Sequence, residues 1–186
     1  MDDETILLEA EERMEKAVEH LAQELRGIRS GRATPGLVDH IRVEAYGTTS
    51  PLRQLAQVSI PEPRQILVKP YDPSTVKDIA RAIQASDVGI NPSVDGKIIR
   101  LVLPALSEER RKQLASQVRE KAEGAKVSLR NVRREANKEV EAAQRSGELT
   151  EDRAHDLKEE IQKLTKAHEE KVERTLQQKV QELMEV

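Results

Sequence analysis

Apolar positions along the chain follow two rhythms, and the change between them divides the protein. From residue 4 to 29 they recur by threes and fours: Leu7, Ala10, Met14, Ala17, Leu21 and Ile28, with Val18 and Leu25 widening the stripe. That spacing keeps one side of a 3.6-residue helix apolar. Asp2, Asp3 and Glu4 suit the positive end of its dipole, Arg26 and Arg29 the negative end, and Ser30-Gly31 is the expected stop.

Over residues 31–105 the rhythm shortens to about two. Ile41, Val43 and Ala45 alternate with Arg42 and Glu44, which predicts a half-buried strand within 37–46, followed by a turn at Gly47-Thr48-Thr49. Residues 57–60 and 64–69 read as further strands, closed by Pro61-Glu62-Pro63 and by Pro70. Asp72-Pro73 is a helix start with Asp as the cap, and Val76, Ile79, Ala80 and Ile83 supply one apolar face. Asn91-Pro92 and Asp95-Gly96 are turns, and 97–103 is a last strand. The prolines and five of the eight glycines lie in this stretch. It predicts a small mixed domain, one twisted sheet with one helix on it.

The helical rhythm returns after Pro104. Leu114, Val118, Ala122, Ala125, Leu129, Val132, Ala136, Val140 and Ala143 form one stripe, from an N-cap at Ser107 to a stop at Gly147. Thr150 caps a third helix, whose stripe is Ala154, Leu157, Ile161, Leu164, His168, Val172, Leu176, Val180 and Leu183. An isolated amphipathic helix is marginal in water, so the three predict a bundle. The expected class is α+β with two domains. Residues 1–30 and 106–186 form a discontinuous three-helix bundle, and 31–105 form the inserted domain. The joint lies at 30–32 and 103–106, through Ser30, Gly31, Arg32, Leu103, Pro104 and Ala105. Two short links side by side make a hinge.

Charge changes this picture in one place. The net charge is −3, yet residues 108–138 hold ten Lys/Arg against five Asp/Glu. Arg119, Lys126, Arg130, Arg133 and Arg134 run beside the apolar stripe of the second long helix. Such a face is usually just solvated, but three arginines within five positions suit phosphate, since the guanidinium fork matches its oxygens. Arg29 and Arg32, around Gly31, offer a second contact near the joint. Aromatics are 1% of the chain, with no Phe or Trp, which points to reading an RNA backbone or shape rather than stacked bases.

Other chemistry is sparse. There is no cysteine, hence no disulfide or thiolate metal site, as in a reducing compartment. No run of about 18 apolar residues and no basic leader is present, so a cytoplasmic protein without membrane attachment is expected. His20, His40 and His155 read as surface residues, and His168 as a boundary residue tolerated on an apolar stripe. No nucleotide-binding loop or nucleophile motif occurs. The expectation is no enzyme, no cofactor, no metal, and a monomer. The residues alone leave open a coiled-coil scaffold and a general RNA-binding helical protein.

Several stretches carry a family resemblance. They are Ile28-Arg-Ser-Gly-Arg-Ala-Thr-Pro35, residues 43–47, Pro51-Leu-Arg-Gln-Leu-Ala56, Ala85-Ser-Asp-Val-Gly-Ile-Asn-Pro92, Leu106-Ser-Glu-Glu-Arg-Arg-Lys112 and residues 122–137. In order, over nearly the whole chain, they resemble the bacterial ribosome recycling factors. One departure is Ala45, where the family often has a second Tyr before Tyr46. The resemblance implies an L-shaped protein that binds the post-termination ribosome. With elongation factor G and GTP it splits the subunits and frees the mRNA. It implies rRNA contact by bundle arginines, Arg133 first, with Arg130 and Arg134 beside it and Arg29 and Arg32 near the hinge. The residues themselves add Lys126 and Arg119. It further implies that elongation factor G pushes the small domain.

Overall fold

The computed structural model describes residues 3–185. They fall into two compact units. One comprises the described residues up to Arg29 together with Glu108–Glu185, and the other is Ser30–Ser107.

The first unit is a three-helix bundle of α1 (Asp3–Arg26), α4 (Glu108–Arg145) and α5 (Glu151–Met184). Pairs across it give its directions. Arg153 Nε donates to Asp3 and His168 Nε2 meets Glu15, so α1 and α5 run parallel. Lys121 Nζ donates to Glu24, and Arg13 to Glu135, so α4 runs against α1. The α4 end follows from Gly147 at φ 81: its N–H reaches Gln144 O, and Glu148 N–H reaches Ala143 O. A left-handed glycine thus satisfies carbonyls the helix leaves open. Thr150 starts α5, its hydroxyl accepting from Arg153 N–H.

The core follows the stripes with local shifts. On α4 all the predicted positions are buried except Ala125, which is half-buried, and Ala115 joins them. On α1, Ile6 is buried in place of the expected Leu7. On α5, Thr165 is buried and Leu164 only half so, because the Thr165 hydroxyl donates to Ile161 O at 2.8 Å and need not face water. Past Val172 the stripe thins, and Leu176 and Val180 are half-buried. His168 is no boundary residue: it is 2% exposed, with Nδ1 2.8 Å from Leu164 O and Nε2 2.9 Å from Glu15. It ties α5 to α1. The first helix stops at Arg26, before the expected Ser30-Gly31, because the chain turns at Gly27, so Arg29 lies outside the helix.

The second unit contains six strands. β1 (Arg42–Ala45) and β2 (Thr48–Pro51) form a hairpin. β3 (Ala56–Glu62), β4 (Gln65–Pro70), β5 (Ser93–Asp95) and β6 (Ile98–Val102) form an antiparallel sheet in the order β3-β4-β6-β5. A short helix, α2 (Leu52–Leu55), joins the two, and α3 (Val76–Ala85) packs on β1 and on β5 and β6. So the expected single sheet is two, and residues 48–49 belong to a strand rather than a turn. Val43, Ile66, Val68, Ile79, Ile83, Ile99 and Leu101 are fully buried between them. Asp72 caps the 3-10 turn leading into α3, accepting from Ser74 N–H at 2.9 Å.

Candidate RNA-binding face

Lys126, Arg130 and Arg133 of α4 lie on the flank that turns toward α5, and their α5 partners sort them into two groups. Lys126 Nζ sits 2.9 Å from Glu173 Oε2. Its hydrogen bond holds the Glu173 carboxyl below the usual carboxylate range. Arg130 lies 3.4 Å from Glu123 and 3.7 Å from Glu169. Lys126, Arg130, Glu169 and Glu173 line a cleft of about 380 Å³ with Lys166 and Glu170, three cations against three carboxylates. Its charge is internally matched.

Arg133 differs. Its Nη1 donates at 2.8 Å to the side-chain oxygen of Gln162, which carries no charge. The half-buried guanidinium is therefore aimed but not neutralised. Arg134 and Lys138 are exposed, and neither forms an ion pair among the described residues. The acid beside them, Glu135, is engaged by Arg13 of α1. Arg133, Arg134 and Lys138 thus make the uncompensated part of the face, directed at solvent along one stretch of rigid helix. Arg119 is exposed, two turns before Lys126, and likewise without an ion pair among the described residues. The arrangement suits an extended polyanion gripped by forked and point cations, without bases being read.

The α5 partners escape a helix-by-helix reading of the sequence, although a signal exists. Two antiparallel helices joined by a tight turn pair residues symmetric about that turn. Lys126 with Glu173, Arg130 with Glu169, and Glu141 with Lys158 are all symmetric about the junction between Leu149 and Thr150. The residue symmetric with Arg133 is Lys166, a like charge. Arg133 instead reaches one helical turn along, to Gln162.

On the opposite flank, a groove of about 650 Å³ between α1 and α4 is lined by Ala17, Leu21, Gly124, Ala125 and Ser128 among others. Its one lysine, Lys121, is matched by Glu24 at 2.7 Å. That flank offers nothing to a polyanion.

The remaining site residues lie where the units meet in sequence. Arg29 and Arg32 are both exposed, the first in the bundle unit and the second in the other. Ser30 is buried, and its hydroxyl accepts weakly from Arg32 N–H at 3.4 Å. Gly31 has φ 77, and a Cβ there would stand 3.3 Å from Leu106 Cγ. Nearby, Ala33 N–H bonds Pro63 O at 2.7 Å and Leu103 N–H bonds Arg64 O at 2.8 Å, so the second unit is structured directly after the first link and up to the second. Among the described residues no group of three or more His, Cys, Asp or Glu is placed to hold a metal, and no helix is long and apolar enough to cross a membrane.

The family model described as ribosome recycling factor matches residues 21–184. The ribosome-recycling factor of Halalkalibacterium halodurans is 48% identical over 181 residues, 97% of this chain and 98% of that one. That of Enterococcus faecalis is 47% identical at the same coverage. That of Rhodopirellula baltica is 58% identical over 138 residues, 74% of each chain. A solution structure of a ribosome recycling factor superposes with a TM-score of 0.77 at 38% identity, covering 100% of this chain and 99% of that one. A second structure holds the T. thermophilus ribosome recycling factor and the E. coli elongation factor G bound to the E. coli post-termination complex. Its recycling factor superposes at 0.65 and 38% identity, covering 99% of this chain and 100% of that one.

Proposed function

The chain belongs to the ribosome recycling factor family, and from that premise we propose how its two units divide the work of recycling. It binds the post-termination ribosome through α4, with rRNA phosphates on Arg133, Arg134 and Lys138. Arg130, Lys126, Arg119, Arg29 and Arg32 add contacts of lesser weight. Elongation factor G, hydrolysing GTP, then drives the second unit, and the subunits separate from each other and from the mRNA. The protein supplies no bond chemistry of its own. It is a stiff anchor and a moving arm.

The observation that carries this reading is Arg133. A guanidinium aimed by a neutral amide is oriented without being neutralised, which is what a preformed phosphate site requires. Lys126 and Arg130 must first leave Glu173 and Glu169, so they add less. The bundle's long helices resist bending, while the compliance lies in the links through Ser30, Gly31 and Arg32 and through Pro104 and Ala105; Leu103, expected with them, is instead buried and bonded to Arg64 O in the second unit. Gly31 at φ 77 permits a backbone state that other residues enter only with strain.

The test is a subunit-splitting assay on post-termination ribosomes, with and without elongation factor G and GTP. Splitting that requires all three components is the expected result, and wild-type protein that binds but never splits refutes the reading. Gly31→Ala, strained at its φ and crowded against Leu106, should bind ribosomes normally and split them slowly.

A further inference from the structure

Because α4 and α5 run antiparallel from one turn, the seam between them is a ladder of facing residues. Lys126 faces Glu173 at 2.9 Å and Arg130 faces Glu169 at 3.7 Å; nearer the turn, Lys158 faces Glu141 at 2.9 Å. Each of these rungs joins opposite charges. Between Arg130 and Glu141 the same register sets Asn137 opposite Gln162, a neutral rung, and Arg133 opposite Lys166. At about 100° per residue, Arg133 and Asn137 share the side of α4 that carries Lys126, Arg130 and Glu141, and Gln162 and Lys166 share the side of α5 that carries Lys158, Glu169 and Glu173. All the rungs therefore belong to one seam, and one of them sets two cations against each other.

Lys166 finds no carboxylate nearby that is not already engaged. It is exposed and lines the cleft beside Lys126 and Arg130. The cleft's cations and carboxylates are equal in number, but Glu173 takes Lys126, Glu169 takes Arg130, and Glu170 lies 3.9 Å from Arg174. Lys166 forms no ion pair among the described residues. Arg133 reaches past it to the neutral rung, where it donates to Gln162.

The fold gains nothing from a rung that repels itself. An anion gains. It is met from two sides, by a guanidinium fork from α4 and an ammonium from α5, and it turns their repulsion into a shared attraction. Both cations stand on helices already packed together, so little ordering is left for the encounter. Arg134 and Lys138 continue the cationic line on the exposed side of α4, which suits a chain of phosphates better than a single carboxylate.

We propose that Lys166 is an RNA-binding residue and that it closes, together with Arg133, on one backbone phosphate of ribosomal RNA across the α4–α5 seam. This rests on the reading above that α4 binds rRNA.

Equilibrium binding of the full chain to post-termination ribosomes tests it, with thermal melting alongside. Lys166→Gln should weaken binding about tenfold and leave the melting temperature unchanged. Lys166→Glu completes the ladder, so the melting temperature should hold or rise, yet it also neutralises Arg133, and affinity should fall about a hundredfold. Added to Arg133→Gln, Lys166→Gln should weaken binding by less than about threefold more, because a shared phosphate is lost only once. Lys163→Gln removes the same charge about a quarter-turn around α5 from the seam, and its effect should stay within about threefold. Wild-type binding by Lys166→Gln, independent losses in the double variant, an equal loss in Lys163→Gln, or a drop of several degrees in melting temperature for Lys166→Glu each overturns the proposal. The outcomes also separate it from its premise. Wild-type binding by Arg133→Gln overturns the clamp and the RNA-face reading together, whereas a loss for Arg133→Gln with none for Lys166→Gln overturns the clamp alone.

Discussion

Replacing Arg133 by Gln gives a quantitative reading of the sorting that α5 imposes on α4. Gln keeps most of the length and nearly the same helix propensity, so folding stability should change by less than about 0.5 kcal/mol. Arg133 donates within the protein only to an uncharged amide, so its whole charge is available to phosphate. A hydrogen bond between a charged donor and phosphate contributes about 1.5–3 kcal/mol, so affinity for post-termination ribosomes should fall about 10- to 150-fold. Lys126→Gln removes the same formal charge, but that charge is already shared with Glu173 at 2.9 Å and must be detached before it can serve RNA. Its loss should stay within about threefold, in the range of an exposed ion pair. Salt provides an independent axis. The slope of log affinity against log salt should become shallower by about 0.7–0.9 for Arg133→Gln, one phosphate contact, and by clearly less for Lys126→Gln. The assay is equilibrium co-sedimentation or fluorescence binding across a potassium series, with thermal melting alongside. Equal losses in the two variants would refute the argument. So would a several-degree drop in melting temperature for Arg133→Gln, since the residue would then be structural.

Three further outcomes follow from the bundle. Gly124 lies in the interior of α4 with no atom within 4 Å of where a Cβ would stand, so Gly124→Ala should stabilise by about 1 kcal/mol, seen as a rise of roughly 4 °C in melting temperature. Thr165→Val deletes a hydroxyl that bonds the Ile161 carbonyl at 2.8 Å and makes a weak contact with the Met14 sulfur at 3.9 Å; stability should be kept or raised by up to about 1 kcal/mol in denaturant titration, and a loss above about 2 kcal/mol would show that the hydroxyl is structurally required. For acid, the sign comes from the carboxylates. Asp3, Glu15, Glu24, Glu141 and Glu173 are all held below their ordinary values, chiefly by hydrogen bonds from Arg153, Lys171, Lys121, Lys158 and Lys126 respectively. The unfolded chain therefore takes up protons first as pH falls. Melting temperature should be level from neutral down to about pH 5 and then decline below the ordinary carboxylate values, less steeply in high salt; a rise on acidification would contradict the pairings.

What can be read from the residues differs between elements for physical reasons. A stripe such as Leu114 to Ala143 is legible because a long helix repeats its burial turn after turn, and one misplaced alanine does not disturb the average. Strand β5 is invisible because Ser93, Val94 and Asp95 are all exposed, so there is no alternation to detect. Residues 48–49 carry turn-like composition, yet they pair with Glu44 and Ala45 because the reversal is completed by Tyr46-Gly47 alone. His168 looks like a boundary residue in its own helix because its partner, the Glu15 carboxylate it shares with Lys171, lies 153 residues away on α1. The same holds for the candidate site. The cations of α4 are plain in the sequence, but which of them are neutralised depends on the α4–α5 register, which is set across the turn at Leu149 and Thr150 and not along one helix.

The parallel pairing of α1 with α5 also sets an order of events during synthesis. Arg153 and Asp3 are separated by 150 residues, and Lys171 and Glu15 by 156. At about 5–20 residues per second, the apolar face of α1 waits roughly 10–30 s for its partner to leave the exit tunnel. Meanwhile Ser30–Ser107 is complete and holds its own core. The inserted unit therefore folds first, and α1 trails from it with an apolar face that α4 covers only in part until α5 arrives. The last helix made is the one that closes the bundle, so chains arrested before residue 150 should present α1 to chaperones, while those extended past residue 184 should not.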